Sequence, residues 1–466
     1  MKALPQSTQI APRAASASQI PSHHHLTARA RRHARFAMSS EYHCNAQSLS
    51  AILAPMLSPM NDQVDEPGAL AGLRVVDLSS TFMGPYCTRL LSQWGASVIK
   101  VEPPQGDVIR GIGDVHGLGL GPIFVHTNTG KRSICLDLKE PGGRTVLDRL
   151  IVESDVLVHN MRDRALRNLR LTGAEVLKTN PRIIYCGFRG YGSNGPYANR
   201  PAYDDVIQAA SGLARLEGGS GEPRYARHAV ADKIVGVYGA AAVLAALAGR
   251  GISDSGRAIE VPMFETMSAF MLLDQQGGLI ADPPDGPSGY PRTSSPYRRP
   301  YRTADGFLAV MLYTDAQWHS FLGLVGKSKL ADDPRLKDIR SRTENIDVLY
   351  KLVESELPMR STSSWLETLE ASGIPCGPVM AIDDLFSDPH LVQSQFFRAF
   401  EHPVLGLLRL PRSPVPVGAE NLQPAPTLGQ HTTEILEELG YRPEEASRLT
   451  ALSADRMAIS VTGDTN

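Results

Sequence analysis

At 466 residues, with 42% hydrophobic and 21% charged residues, the chain has an ordinary globular composition and enough length for more than one domain. Its net charge of -2 gives no electrostatic case for nucleic acid or an acidic membrane surface as a partner. No uninterrupted apolar run approaches the roughly 20 residues of a membrane span, so no membrane partner is expected. The five cysteines (Cys44, Cys87, Cys135, Cys186 and Cys376) are scattered without metal spacing. They point to a reducing, cytoplasmic location, to core packing of the thiols and to no metal site.

Residues 1–65 are basic and rich in Ala, Ser and Pro, with Lys2, Arg13, Arg29, Arg31, Arg32 and Arg35 preceding the first acidic residue, Glu41. This composition predicts a disordered extension, or an organellar transit peptide, or an untranslated leader ahead of a start at Met38, Met56 or Met60. His23, His24 and His25 within it are read as weak metal ligands at most. Patterning begins at Leu70. Val75 to Leu78 reads as a buried strand, Ser79 to Pro85 as a loop and Tyr86 to Trp94 as a helix. Ala96 to Glu102 is a second strand. The alternation continues with strands at Ser133 to Leu138, Val156 to His159 and Arg182 to Phe188, and with helices at Glu140 to Glu153 and Leu166 to Thr179. Such a series predicts an α/β fold, a Rossmann-like parallel sheet whose ligands sit at the carboxyl ends of the strands. No GxGxxG follows the first strand, which argues against a nicotinamide enzyme.

A long helix of small residues starts near Asp232, followed by a strand from Gly256 and a helix through Leu273. Gly277 to Ser295 reads as a linker, Tyr301 to Leu312 as a hairpin, and helices follow at Asp315 to Leu324, Ile346 to Leu357 and Ser363 to Ala371. The predicted organisation is a large domain over 66–284, a smaller α+β domain over 285–380, a return to the large domain over 381–445 and a flexible tail over 446–466. The stretch from Arg227 to Leu247 carries a lone carboxylate, Asp232, in the first turn of its helix. Asp232 fits two roles: a helix cap, which Asp often supplies, or a catalytic carboxylate kept ionised by the helix dipole.

Leu70-Ala-Gly-Leu-Arg-Val-Val-Asp-Leu, Met83-Gly-Pro, Gly95-Ala-Ser-Val-Ile-Lys-Val-Glu and Lys131-Arg-Ser-Ile-Cys-Leu-Asp-Leu-Lys occur in order. Asn180-Pro-Arg-Ile-Ile-Tyr, Gly190-Tyr-Gly-Ser-Asn-Gly-Pro-Tyr-Ala, Pro201-Ala-Tyr-Asp, Ala231-Asp and Gly256-Arg-Ala-Ile-Glu-Val-Pro-Met complete the series. Together these stretches, over about 68–440, resemble the class III CoA-transferase family, which includes formyl-CoA and carnitine-CoA transferases and has α-methylacyl-CoA racemase as a relative. The resemblance implies a Rossmann-like large domain, a small domain and an interlocked homodimer. It also implies that CoA moves between an acyl-CoA and a carboxylic acid with no tightly bound cofactor, through an aspartyl anhydride and an aspartyl-CoA thioester on Asp232. Phe82, Met83, Leu136, Asp137, Leu138, Lys139, Asn160, Met161, Arg162 and Tyr203 fall at positions that resemble the family's CoA channel.

The chain departs from the family pattern in two places. Arg162, Arg164, Arg167 and Arg170 stand where Arg-Pro-Gly is usual, and Pro291 to Tyr301 lacks the glycine-rich flap. Arg298 and Arg299 in that stretch fit CoA phosphates, an acidic substrate or plain solvation. Arginines near the site tilt the acceptor toward a dicarboxylic acid. Racemases carry His where Tyr203 stands, and only a group titrating near neutrality suits proton exchange at Cα. His228 is read as structural. Two alternatives stay open beside the transferase: racemase-type 1,1-proton transfer and a non-catalytic CoA-binding homologue.

Overall fold

In the computed structural model, residues 67–420 and 423–449 are described. The expected extension over 1–65 and most of the expected tail lie outside them. Six strands form one parallel sheet: β1 (Arg74–Asp77), β2 (Ser97–Glu102), β3 (Lys131–Cys135), β4 (Val156–His159), β5 (Ile184–Arg189) and β6 (Arg257–Pro262). Their spatial order, β3-β2-β1-β4-β5-β6, reverses direction between β1 and β4. The period-2 alternation of the strands decides which layer each side chain enters. Val75, Val158, Ile184, Cys186 and Phe188 face one core. Val76, Leu157, Ile183 and Tyr185 face the other. Both faces must therefore be covered, and the strands read as near-continuous apolar runs for that reason.

Helices α1 (Met83–Gln93), α2 (Pro122–Asn128), α3 (Pro141–Val152), α4 (Asp163–Asn168), α5 (Gly173–Thr179), α6 (Asp204–Ala210), α7 (Leu213–Gly218), α8 (Val230–Ser253) and α9 (Met263–Gln275) surround the sheet. Helix α1 starts at Met83, three residues before the expected Tyr86, because Gly84 and Pro85 fit a first helical turn. The helix expected over Leu166 to Thr179 is two helices, broken where Arg170 adopts φ 51. Helices α2 and α7 border Gly-punctuated stretches, and the sequence pattern assigns no element to them.

Helix α8 runs across the first core for 24 residues, its N-terminal turns against α1. With a mean hydropathy of 1.7 over an 18-residue window, it is long and apolar enough to cross a membrane by length and composition. That differs from the sequence expectation, because Gly and Ala between Lys233 and Arg250 keep the run uncharged. Its glycines set the packing distance. A Cβ at Gly236 would sit 2.8 Å from the Met83 carbonyl oxygen, and one at Gly239 would overlap the Phe188 ring.

Chain between Tyr301 and Pro378 builds an antiparallel sheet, β7 (Tyr301–Arg302), β8 (Phe307–Val310) and β9 (Cys376–Pro378). Leu308, Trp318, Phe321, Val353 and Trp365 form its separate core. The segment expected as a linker carries a 3-10 turn at Gly277–Ile280 and a helical turn at Pro291–Ser294. A hairpin, β10 (Phe397–His402) and β11 (Gly406–Pro411), follows. The chain then reaches the edge strand β3, where His431 N donates to Ser133 O at 2.9 Å and Ile435 and Leu436 enter the second core.

Two glycines of α8 give opposite expectations. Gly239→Ala should destabilise by about 1–3 kcal/mol through overpacking against Phe188. Gly251→Ala, with open space around it, should stabilise by about 0.5–1 kcal/mol. Urea unfolding midpoints of the two variants check this, and equal shifts would contradict the close approach.

Candidate active site

Where β1 and β4 diverge, their carboxyl-end loops face each other, the usual ligand crevice of a doubly wound sheet. The two loops are clasped. Asn160 accepts from Ser80 N through Oδ1 at 3.0 Å and donates through Nδ2 to Ser80 O at 2.7 Å. Beneath them, Lys100 donates to Ser79 O at 2.9 Å and to Asp107 Oδ2 at 3.0 Å. Asp107 in turn accepts from Thr81 N at 3.0 Å. Thr81 is held at φ 66, a strained value for a β-branched residue that these contacts must enforce.

A cavity of about 440 Å³ opens at this crevice. Asp232 lines it together with Met83, Asn160, Met161, Arg162 and Tyr203, all singled out from sequence. Leu136, Asp137, Leu138 and Lys139 line a second, more apolar cavity of about 950 Å³. Met161 borders both. Phe82, the residue before the first turn of α1, lines neither and is half-buried. Arg162, Arg164 and Arg167 line the smaller cavity, as does Arg200, whose guanidinium lies 3.9 Å over the Tyr197 ring; Arg170 lines the larger one.

The cap role does not hold for Asp232. The N-cap of α8 is Ala229, no side chain caps it, and Asp232 stands three residues further, in the first turn. Among the described residues its carboxylate has no hydrogen bond or ion pair. Its backbone N–H donates instead to Asp204 Oδ1 at 2.9 Å. Burial, then the like charge of Asp204, push the Asp232 carboxyl up from its ordinary value to about 7. The helix N-terminus favours the ionised form, while burial and Asp204 work against it at this position.

Asp204 and its brace escaped sequence reasoning. Gln208, fully buried, donates to Asp204 Oδ2 and accepts from Ala226 N at 2.9 Å. The adjacent acidic pair in Tyr203-Asp204-Asp205, opening a helix, was the available signal. Tyr203 is 70% exposed. His228 is exposed as well, with its Nδ1 3.4 Å from Lys233 Nζ. Neither position presents an imidazole to Asp232. Arg299 pairs with Glu354 at 2.5 Å, Arg298 is exposed, and neither lines the two cavities. Buried Arg292 donates to the Tyr350 hydroxyl at 3.1 and 3.2 Å, which ties the stretch Pro291 to Tyr301 to the helix Ile346–Glu356. Among the described residues no group of three or more His, Cys, Asp or Glu is placed to hold a metal ion.

Residues 70–432 match the model of CoA-transferase family III. The chain is 32% identical to a succinate–glutarate CoA-transferase of Agrobacterium fabrum over 397 residues, covering 82% of this chain and 98% of that protein. It is 33% identical to a formyl-CoA:oxalate CoA-transferase of Streptomyces coelicolor over 406 residues, covering 81% and 97%. Among solved structures, a CAIB/BAIF family protein from Brucella suis superposes with a TM-score of 0.68 at 30% identity, covering 80% of this chain and 100% of that one. A hypothetical protein from Mycobacterium tuberculosis gives 0.68 at 26% identity, covering 80% and 100%. The chain belongs to CoA-transferase family III and is an enzyme of that class.

The raised Asp232 carboxyl makes a signed prediction. The folded protein holds a proton there that the unfolded chain gives up near pH 4, so ionisation costs stability as pH rises from about 4 to 7. Asp232→Asn should therefore melt above the parent at pH 8, with the gap closing toward pH 4. Differential scanning calorimetry across that range checks it.

Proposed function

We propose that this enzyme moves CoA between an acyl-CoA and a dicarboxylic acid, with Asp232 as the covalent relay. The supporting observation is a desolvated carboxylate, without a partner among the described residues, lining a cavity that Arg162, Arg164, Arg167, Arg189 and Arg200 also line. A carboxylate that titrates near 7 is a better nucleophile than one at its ordinary value, yet about half of it is ionised at neutrality. The adenosine end of CoA fits the larger apolar cavity. Met161 marks the passage to the smaller one, and Arg162, Arg164 and Arg167 suit the phosphates between.

Each step conserves atoms and electrons. An Asp232 oxygen attacks the acyl carbonyl carbon, the C–S bond breaks, and a mixed anhydride and CoA thiolate result. The thiolate attacks the Asp232 carbonyl carbon, the anhydride C–O bond breaks, and the first acid leaves as its carboxylate. The acceptor carboxylate then attacks the aspartyl-CoA thioester and expels the thiolate. That thiolate attacks the acceptor's acyl carbon, releasing the new thioester and Asp232. No redox partner or metal enters this sequence, and each tetrahedral oxyanion needs hydrogen-bond donors around it. The succinate, glutarate and oxalate in the relatives' names favour short dicarboxylates as acceptors. Tyr203 in place of a histidine disfavours racemisation.

Val237 and Tyr238 on α8, with Phe270, Leu272 and Leu273 on α9, are exposed large apolar side chains. They support a homodimer, in which such a face is covered.

Incubation with succinyl-CoA followed by hydroxylamine trapping and peptide mass spectrometry should mark Asp232. Asp232→Asn should show no mark and lose about 10⁴-fold or more in exchange rate. Exchange that persists in this variant would defeat the relay. Arg162→Met should raise KM for acyl-CoA about tenfold with kcat little changed, the loss of one charge-assisted hydrogen bond being worth about 1.5–3 kcal/mol. Steady-state kinetics distinguish this from a loss of chemistry.

A further inference from the structure

On the opposite face of the sheet from α8, a separate cavity of about 230 Å³ lies along β5 and β6 beside the end of β4. His159, the last residue of β4, borders it and is 1% exposed. Its Nδ1 accepts from Met161 N at 3.2 Å, so the ring proton of the neutral imidazole sits on Nε2. That Nε2–H has no partner among the described residues. Gly187 makes room for the ring itself, since a Cβ there would lie 2.8 Å from Nε2. A buried donor without a partner costs roughly 1–3 kcal/mol, which an acceptor in the cavity would relieve. The ring stays neutral: burial, then the nearby Arg189, lower its pKa to about 3.

The rest of the lining selects the sign of that acceptor. Asp163 and Glu260 are both engaged by Arg189, Glu260 at 2.9 Å. Arg167 has no ion pair among the described residues and borders the same cavity. Tyr185 and Ala258 supply apolar wall. The volume holds roughly seven waters at about 30 Å³ each, room for a short acid and far too little for a CoA thioester.

We propose that this cavity is a second, non-catalytic site for a short-chain carboxylate, held by the His159 Nε2–H and the Arg167 guanidinium. Asp163, Arg167 and Arg189 line this cavity and the Asp232 cavity alike, so the ion pair of Arg189 with Asp163 is a shared wall between them. A carboxylate bound behind that wall draws on the cations that also face the substrate, which links acid concentration to binding at the Asp232 cavity. The donors define the ligand class, and the transferase reading enters only in the choice of succinate as the probe.

The test is equilibrium dialysis of labelled succinate against full-length Asp232→Asn protein, which binds without turnover, and against the same protein carrying Ala258→Leu. Ala258 borders this cavity and not the Asp232 cavity, and a leucine there fills it. The expected result is one equivalent of succinate per chain lost on Ala258→Leu, with retention on CoA-agarose unchanged. A second readout needs no variant: the imidazole Nε2–H resonance of His159 should shift with succinate and not with equal sodium chloride. Succinate binding unaltered by Ala258→Leu, or a resonance unmoved at saturating succinate, would mean water alone fills the cavity and would overturn the proposal. Loss of CoA retention in the Asp232→Asn parent would instead count against the transferase reading, leaving the stoichiometry to judge this site.

Discussion

The site depends on a set of charges buried on and beside the first three strands. Asp77, on β1, accepts from Lys131 on β3 at 2.9 Å and from Thr88 on α1 at 2.6 Å. Lys131 also donates to Pro85 O and Asn128 Oδ1, each at 2.9 Å. On β2, Lys100 ties Asp107 to the loop after β1, and Glu102 takes a bidentate grip from Arg110 at 2.6 and 2.7 Å. Burial alone would raise Asp77, but Lys131, Lys100 and two hydroxyls together bring it down to about 2. Burial pushes Lys131 down to about 8, which still leaves it charged at neutrality. Such charges gain little net stability over apolar packing, yet losing one partner strands the other. What they do here is geometric: every polar group of the loop over 79–81 that faces the strands has a fixed partner.

That rigidity sets up the contrast at Asp232. Beside these satisfied buried charges, the Asp232 cavity holds a carboxylate with no partner among the described residues and with Asp204 close by. Asp204 is itself held by Gln208 and by the Asp232 backbone N–H. The same physical cost, desolvation of a charge, is thus compensated under the loop and left uncompensated at the cavity. A poorly solvated carboxylate beside a like charge gains by forming a neutral acyl derivative, and the proposed covalent relay rests on that gain.

The layered fold was legible because the strands alternate. Val75 and Val76, or Leu157 and Val158, are each apolar and sequential, and only a sheet covered on both faces buries them all. Helix limits were less legible wherever Gly or Pro opened a helix, as at Met83-Gly-Pro and at Pro122. The candidate site was partly legible. Met83, Met161, Arg162, Tyr203 and Asp232 were found from ordered motifs, and they meet at one cavity. Asn160 was found too, with an amide spent on clasping Ser80. Asp204 and Gln208 were missed because nothing local in a helix's first turn says what lies across from it.

By itself, the sequence determined the alternation of strands and helices, the close-packed Gly/Ala helix and the place of a carboxylate in its first turn. These follow from periodicity and steric size, which act between neighbours along the chain. The tertiary structure alone decided that Asp232 titrates near 7, that two cavities share Met161, and that His159 keeps an unpartnered donor over Gly187. Each of those depends on burial and on contacts between residues distant in the chain, and a local pattern carries no term for either.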